Sequence, residues 1–463
     1  MTTLPNDPFA DGGISTFAKK FKSGEVTSLE VTEAFLARIE QLDNQIGSFQ
    51  FVDADRARKV AQSMDQLRDA GVYLGPLMGV PVGVKDIFAV EGMPTTNGSK
   101  IDSADATGQE GPFIKKLKAA GAVILGKTKT VEYAFGATGV NSVRGTPRNP
   151  HDLNVFRVPG GSSSGSAAAT AAGLVGFAIG SDTGGSVRIP AAFCGLFGHK
   201  TTVGMWPTSG VFPLSPTLDT IGPLCRNAAD AALVFEVLEG YSIPQAPKLS
   251  GLKFGLPTST FFENIEPDVQ ASYDKALDLL TQAGVEFVEM QAPELSERAK
   301  LFREIVAPEF ITGLGRSRFV ENQSVMDPVS ASRAAFGLDV DAVTHAESLQ
   351  RHRELKRLAF ERFVGIDAWI SPTCVCLPMP IEEVNQASQL QRALIPSQNT
   401  QPANIYGICA VTTPIQHLVN ANLPVGLQIM CPAGEDARLL SIGGAVANYL
   451  GEPALPLMHA SAS

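Results

Sequence analysis

The sequence predicts an α/β fold: one large domain whose β-sheet core is covered by helices on both faces. Two observations carry this expectation. Helical segments alternate with short, wholly apolar runs such as "AVILG" and "LVGFAIG", and strands with no polar face are those buried on both sides. No Pro- or Ser-rich linker and no internal repeat divides the 463 residues. Residues 1–463 therefore read as a single domain, although length alone would allow about three.

The elements follow in order. Thr27 and Glu30 have capping-box spacing, and Val31, Phe35, Ile39 and Leu42 then fall on one helical face. A second helix is expected over residues 54–70, through Val60, Met64 and Leu67. "LMGVPVGVKDIF" reads as a buried strand ending at Lys85–Asp86. "PFIKKLKAAGAVILGKT" is a helix, a stop at Gly121 and an apolar strand, and the arrangement recurs with an Ala-rich helix from about Ser166 to Gly173 followed by "LVGFAIG". Further on, "GLKFGLP" and "GVEFVEM" read as strands around a helix over 268–283. A charged helix over 340–364, strands in "DAWISPT", "GICAVTTPI" and "NLPVGLQIM", and a helix over 436–450 complete the chain.

Composition narrows the function. With 44% hydrophobic residues, 18% charged residues and a formal charge of −10, the chain can bury a large core. It has no broad basic surface for nucleic acid or an anionic membrane. The opening "MTTLPNDPFADGG" has neither a basic nor an apolar region, so no signal peptide is expected. Six cysteines without a CxxC pair, and six histidines without ligand spacing, predict buried thiols in a reducing cytoplasm and no metal site or cofactor.

The chemistry concentrates in "GGSSSGSAAATAAGLVGFAIGSDTGGS", residues 160–186. A flexible linker would not run into an Ala-rich helix and an apolar strand. A phosphate loop would need GxxxxGK[ST], which is missing here. A strand turning sharply through Asp182-Thr183-Gly184-Gly185-Ser186 places a serine at a corner where the backbone N–H groups of Thr183, Gly184, Gly185 and Ser186 can converge on an oxyanion. Such a serine needs a base, and no GxSxG elbow points to the usual histidine. Ser164 and Ser166 read as turn and helix-cap residues, and His199 as structural.

"GVPVGVKDIF", "VPGGSSSGSAAATAAG" and "GSDTGGSVRIPAAFCGLFGHK", in that order and with two serines 24 residues apart, resemble the amidase signature family. The resemblance spans nearly the whole chain and is strongest over 75–240, with a helical part over 1–70 before it and a C-terminal part over 250–463 completing the sheet and substrate pocket. It implies a single domain built on a mixed sheet, a small-molecule amide as substrate, and hydrolysis through an acyl-enzyme. The family's Ser–cis-Ser–Lys triad falls on Ser186 as nucleophile, Ser162 as bridge and Lys85 as base, with the cis peptide at Gly161–Ser162. Lys85 can act as a base only when neutral, hence buried. Ser163 is placed to hold the bridging hydroxyl, and Asp182 and Arg188 to brace the nucleophile loop. Phe135, Met205 and Trp206 are candidates for the substrate pocket, with a place in the core as the alternative for each. Homodimers are common in this family.

Within the family the main competitor is the catalytic subunit of the glutamine-dependent tRNA amidotransferase. Its glutaminases carry an aspartate ahead of the T-x-P-x-N-x-x-G segment, where "SQNTQPANIYG" places Ser397. Those subunits usually carry polar residues at the place of Met205 and Trp206. The expectation is therefore a stand-alone hydrolase of a small or medium organic amide. A non-catalytic amide-binding protein would have lost a triad residue, and none is lost.

Overall fold

One continuous sheet of eleven strands takes its members from residue 49 to residue 431 of the chain. A computed structural model describes residues 5–258, 261–453, 455 and 456. Residues 1–4 of the opening segment and 457–463 of the C-terminal part, both inside the expected 1–463 domain, lie outside the described residues. The strands are β1 (Phe49–Val52), β2 (Pro81–Lys85), β3 (Val123–Thr128), β4 (Phe177–Asp182), β5 (Phe197–Lys200) and β6 (Thr220–Cys225). They continue as β7 (Lys253–Pro257), β8 (Glu286–Met290), β9 (Ala368–Pro372), β10 (Cys409–Pro414) and β11 (Gly426–Cys431). Their spatial order is β1-β3-β2-β4-β6-β5-β10-β11-β9-β7-β8.

The sheet is mixed. β3, β2 and β4 run parallel to one another, as do β9, β7 and β8, and the strands between these two groups pair antiparallel. Every residue of β2, β3, β4, β6, β10 and β11 is buried, including the polar side chains of Lys85, Lys127, Asp182 and Gln428. At the far edge, β8 exposes Glu286 and Glu289, charges that discourage pairing with another chain.

Adjacent residues of β10 show that both faces are covered, because successive side chains of a strand point to opposite sides. Val411 lies against Gly443 of the helix Asp436–Leu450. Thr412 shares its face with Gly198 and Gly426, where Ala191 and Ala192 of the helix Arg188–Phe193 pack.

The expected elements are present with small shifts at their ends. Thr27 caps Ser28–Ile46 with a complete capping box to Glu30. The second helix is Ala54–Asp69, and the charged helix is Ala342–Arg362. Gly121 takes φ +81° between the helix Pro112–Ala119 and β3, a left-handed turn that suits glycine. The Ala-rich helix begins two residues earlier than expected, at Ser164. Among the described residues no helix is long and apolar enough to cross a membrane.

Candidate active site

Lys85 is the last residue of β2, flanked by β3 and β4. Its side chain is fully buried, and Nζ donates to Ser162 Oγ at 2.7 Å and to Ser181 Oγ at 2.8 Å. Burial pulls Lys85 down from its usual range to about 7, although the charges of Asp219 and Asp182 partly oppose the shift. Near neutrality a sizeable fraction is therefore a free amine, whose lone pair can accept a proton from either hydroxyl.

Ser162 precedes the helix Ser164–Ala171, which packs on β2, β3 and β4. The Gly161–Ser162 peptide is cis. The Ser162 carbonyl accepts from Val131 N at 3.2 Å and Thr130 Oγ1 at 3.1 Å, and Gly161 N donates to Ala137 O at 2.8 Å. A Cβ on Gly161 would stand 2.6 Å from Gly139 N, so the close approach of these two backbones requires glycine here.

Ser186 sits at the bend between β4 and the helix Arg188–Phe193, 8% exposed. Ser163 N donates to Ser186 O at 3.2 Å, which ties the bend to the residue next to Ser162. Asp182 organises this corner. It accepts from Gly185 N at 2.7 Å, Val187 N at 3.1 Å, and Arg188 Nη2 and Nε at 2.9 and 3.0 Å. Burial pushes the Asp182 carboxyl up, but the adjoining Arg188 guanidinium overcomes this and holds it well below the usual carboxylate range. Arg188 also donates to Thr400 O, Gln428 Oε1 and Asn404 Oδ1 at 2.6–2.8 Å. Both members of the ion pair are fully buried. Removing one would leave an uncompensated charge, so Arg188→Met is expected to lose about 3–5 kcal/mol of stability. Chemical denaturation of the purified variant checks this.

Two expectations need correction. Gly185 is not an oxyanion donor, because its N–H is committed to Asp182 Oδ1. The peptide is fixed in that direction by Thr400 Oγ1, which donates to Gly184 O at 2.7 Å. The amides of Thr183, Gly184 and Ser186 have no hydrogen-bond acceptor among the described residues. Ser163 does not hold the Ser162 hydroxyl. Its Oγ donates to Ser181 O and accepts from Ser181 N, at 3.2 and 3.3 Å. Of the two placements left open for Met205 and Trp206, the core holds both, and neither lines the cavity at Ser186. Trp206 packs against Phe113 and Phe235 and donates to Glu239 Oε1, and Met205 lies against the same cluster.

Phe135 does line the cavity at Ser186, together with Thr183, Gly184, Leu214, Phe302 and Arg333. This inner chamber is small, about 20 Å³, and shares Phe135, Phe302, Arg333 and Ser397 with an outer cavity of about 380 Å³. His199 pairs with Asp436 at 3.2 Å in the buried core, away from these chambers. Ser166 Oγ lies 2.7 Å from Thr128 Oγ1 and donates to Ile179 O, so it pins the helix to the sheet instead of capping it. Among the described residues no three His, Cys, Asp or Glu side chains gather where they could hold a metal ion.

Sequence reasoning missed Ser181, Asp219 and Arg333. Ser181 lies between Ser162 and Ser186 in sequence, on β4, but a further serine at the lysine has no motif of its own. Asp219 accepts from Thr183 Oγ1 at 2.5 Å and from Ser215 N at 3.0 Å. Burial pushes its carboxyl up to about 7.

A family model described as Amidase matches residues 30–440. The chain belongs to that family, the amidase signature enzymes, and is an amidase. It is 35% identical over 450 residues to the 2-amino-5-chloromuconic acid deaminase of Comamonas testosteroni, covering 95% of this chain and 96% of the relative. It is 36% identical over 470 residues to the A subunit of the glutamyl-tRNA(Gln) amidotransferase of Streptomyces avermitilis, covering 93% of each. A solved structure described as an amidase superposes with a TM-score of 0.86 at 30% identity, covering 95% of this chain and all of that one.

Proposed function

We propose that this chain hydrolyses a small or medium organic amide to carboxylate and ammonia or amine, without a second subunit, with Ser186, Ser162 and Lys85 as its triad. The observation that carries the assignment is a buried lysine, near 7, 2.7 Å from the hydroxyl of Ser162. Neutral Lys85 takes the Ser162 proton as Ser162 takes that of Ser186, whose Oγ attacks the amide carbonyl. The tetrahedral oxyanion is held by the free amides of Thr183, Gly184 and Ser186. The proton returns from Lys85 through Ser162 to the leaving nitrogen, the C–N bond breaks, and water then cleaves the acyl–Ser186 ester by the same relay.

Two matched relatives bear names from different branches of the family, one for a small acid and one for a component of an amidotransferase. Ser397 supports the first branch. It faces the cavity where the glutaminases of the resemblance carry an aspartate, and its Oγ donates to Leu394 O at 2.8 Å. All six cysteines are free and buried, which suits a reducing cytoplasm. The purified chain alone is expected to release ammonia from simple amides, with glutamine a poor substrate. Ammonia release from glutamine that appears only with an amidotransferase partner would overturn this reading.

A further inference from the structure

We propose that Thr400 is a positioning residue for the oxyanion hole: its hydroxyl holds the Gly184–Gly185 peptide, and through it the directions of the Gly184 and Ser186 amides. The proposal rests on the amide-hydrolase reading above and adds a residue to that machinery.

The need for a clamp comes from the sequence. Gly184 and Gly185 have no Cβ on either side of their shared peptide, so local sterics leave it more rotational freedom than any other pair of residues would. Gly185 takes φ +129°, a conformation outside the range of ordinary L-residues. Two glycines permit this bend but do not enforce it. The enforcement is external and acts at both ends of the peptide. Gly185 N donates to Asp182 Oδ1 at 2.7 Å, and Gly184 O accepts from Thr400 Oγ1, also at 2.7 Å. A reversed peptide would set the Gly184 carbonyl against the Asp182 carboxylate. The amides of Gly184 and Ser186 belong to the peptides immediately before and after this one, so they keep a fixed direction only while it does.

Thr400 is committed to this contact rather than to a local one. It precedes the helix Gln401–Ile405, a position where a threonine side chain ordinarily accepts from a backbone N–H of the first turn. Here it makes no such bond, and Pro402 removes one of the amides it could have used. Its hydroxyl instead reaches a carbonyl 216 residues away, with Ser397 O at 3.3 Å the longer, alternative acceptor. Thr400 is fully buried, and a Cβ on Gly185 would collide with its Oγ1, so the hydroxyl fills the space that the missing side chain leaves. Thr400 is itself held, since its carbonyl accepts from Arg188 Nη1 at 2.8 Å. Asn404, four residues on, donates to Asp182 Oδ1 at 2.9 Å and accepts from Arg188 Nη2 at 2.7 Å. The T-x-P-x-N segment therefore supplies the second half of the nucleophile corner. Thr400 lines neither chamber, so it acts on the reaction through Gly184 and not through the substrate.

The test uses the whole purified chain, with butyramide as substrate and 1,1,1-trifluoropentan-2-one as probe. The ketone carries the same propyl group. Ser186 Oγ adds to its carbonyl carbon, the carbonyl π bond becomes an oxyanion in the hole, and the serine proton passes through Ser162 to Lys85. Fluorine NMR of the adduct gives its Kd. In Thr400→Val, which keeps the shape and loses the hydroxyl, kcat is expected to fall about 10- to 100-fold with KM nearly unchanged, less than the roughly 10²–10³-fold cost of deleting an oxyanion donor outright. The ketone should bind more weakly by a similar factor, and Thr400→Ser should restore most of both. The ratio of ketone Kd to butyramide KM is the readout, because neither constant depends on how much of a sample is folded, and a merely structural threonine would leave it unmoved. Thr400→Ala is the second hydroxyl-free variant should Thr400→Val not fold. Where turnover is too low for KM, the ketone Kd of the hydroxyl-free variant against Thr400→Ser gives the same comparison. A wild-type ratio in the hydroxyl-free variant, or a Thr400→Ser variant equally impaired, would overturn the proposal while leaving the hydrolase intact. A wild-type chain that neither releases ammonia from butyramide nor forms the adduct would overturn the amide reading and this proposal with it.

Discussion

Ser186→Ala is expected to lower kcat at least about 10⁴-fold, the scale on which a covalent route is lost and only binding and oxyanion stabilisation remain. The reason is specific to this corner. Asp182 fixes the bend through Gly185 N, Val187 N and Arg188, and none of those contacts involves the Ser186 side chain. Alanine should therefore leave the loop, the free amides and the stability of the protein in place while removing the attacking oxygen. Thermal unfolding should shift by no more than a surface-like substitution would cause. A fluorophosphonate reagent gives an independent readout. Wild-type protein should gain one adduct on the peptide carrying Ser186, and the alanine variant none. An alanine variant that retained most of its turnover, or an adduct found on another serine, would remove Ser186 from the nucleophile's role.

What the sequence made legible follows from how local each signal is. The strands β2, β3 and β4 announce themselves because each opens on an apolar run buried on both faces, with its polar residues gathered at the C-terminal end. The proposed triad could be read from sequence because Lys85, Ser162 and Ser186 each sit in a short motif whose glycines answer local demands, such as the contact of Gly161 with Gly139. β1 was missed because four residues do not make a period. The helix Arg298–Leu314 was missed because Pro308 interrupts it and its buried residues run nearly all round, leaving no apolar stripe. For Trp206 the sequence left pocket and core open, because its indole is enclosed by Phe113 and Phe235, which are remote in sequence. Arg333 and Asp219 depend on contacts across more than 30 residues. Nothing near them in sequence says what they face.

Lys85→Arg is expected to be nearly as damaging as Lys85→Ala, each costing about 10³-fold in kcat, within the range general base catalysis supplies. An arginine keeps the positive charge but holds its proton at any workable pH, so it cannot receive one from Ser162. Ser162→Ala should cost less, about 10²-fold, because a water in the vacated space can pass a proton on, whereas nothing nearby can replace the amine. The pH profile carries the same logic. The competent form of Lys85 is the neutral amine, and burial brings it down to about 7. The rate should rise as pH increases through about 7, far below the range of an exposed lysine, and fall about tenfold per unit on the acid side. Asp219 ionises over the same window, since burial lifts its carboxyl to about 7. Its negative charge favours protonated Lys85, so the two groups titrate together and the limb is broader than a single ionisation. Asp219→Asn removes that charge and should move the limb to lower pH, a displacement that a purely structural role for Asp219 would not cause. A Lys85→Arg enzyme with most of its wild-type turnover would mean that the lysine acts through charge alone, and the proton would then have to leave Ser162 by another route.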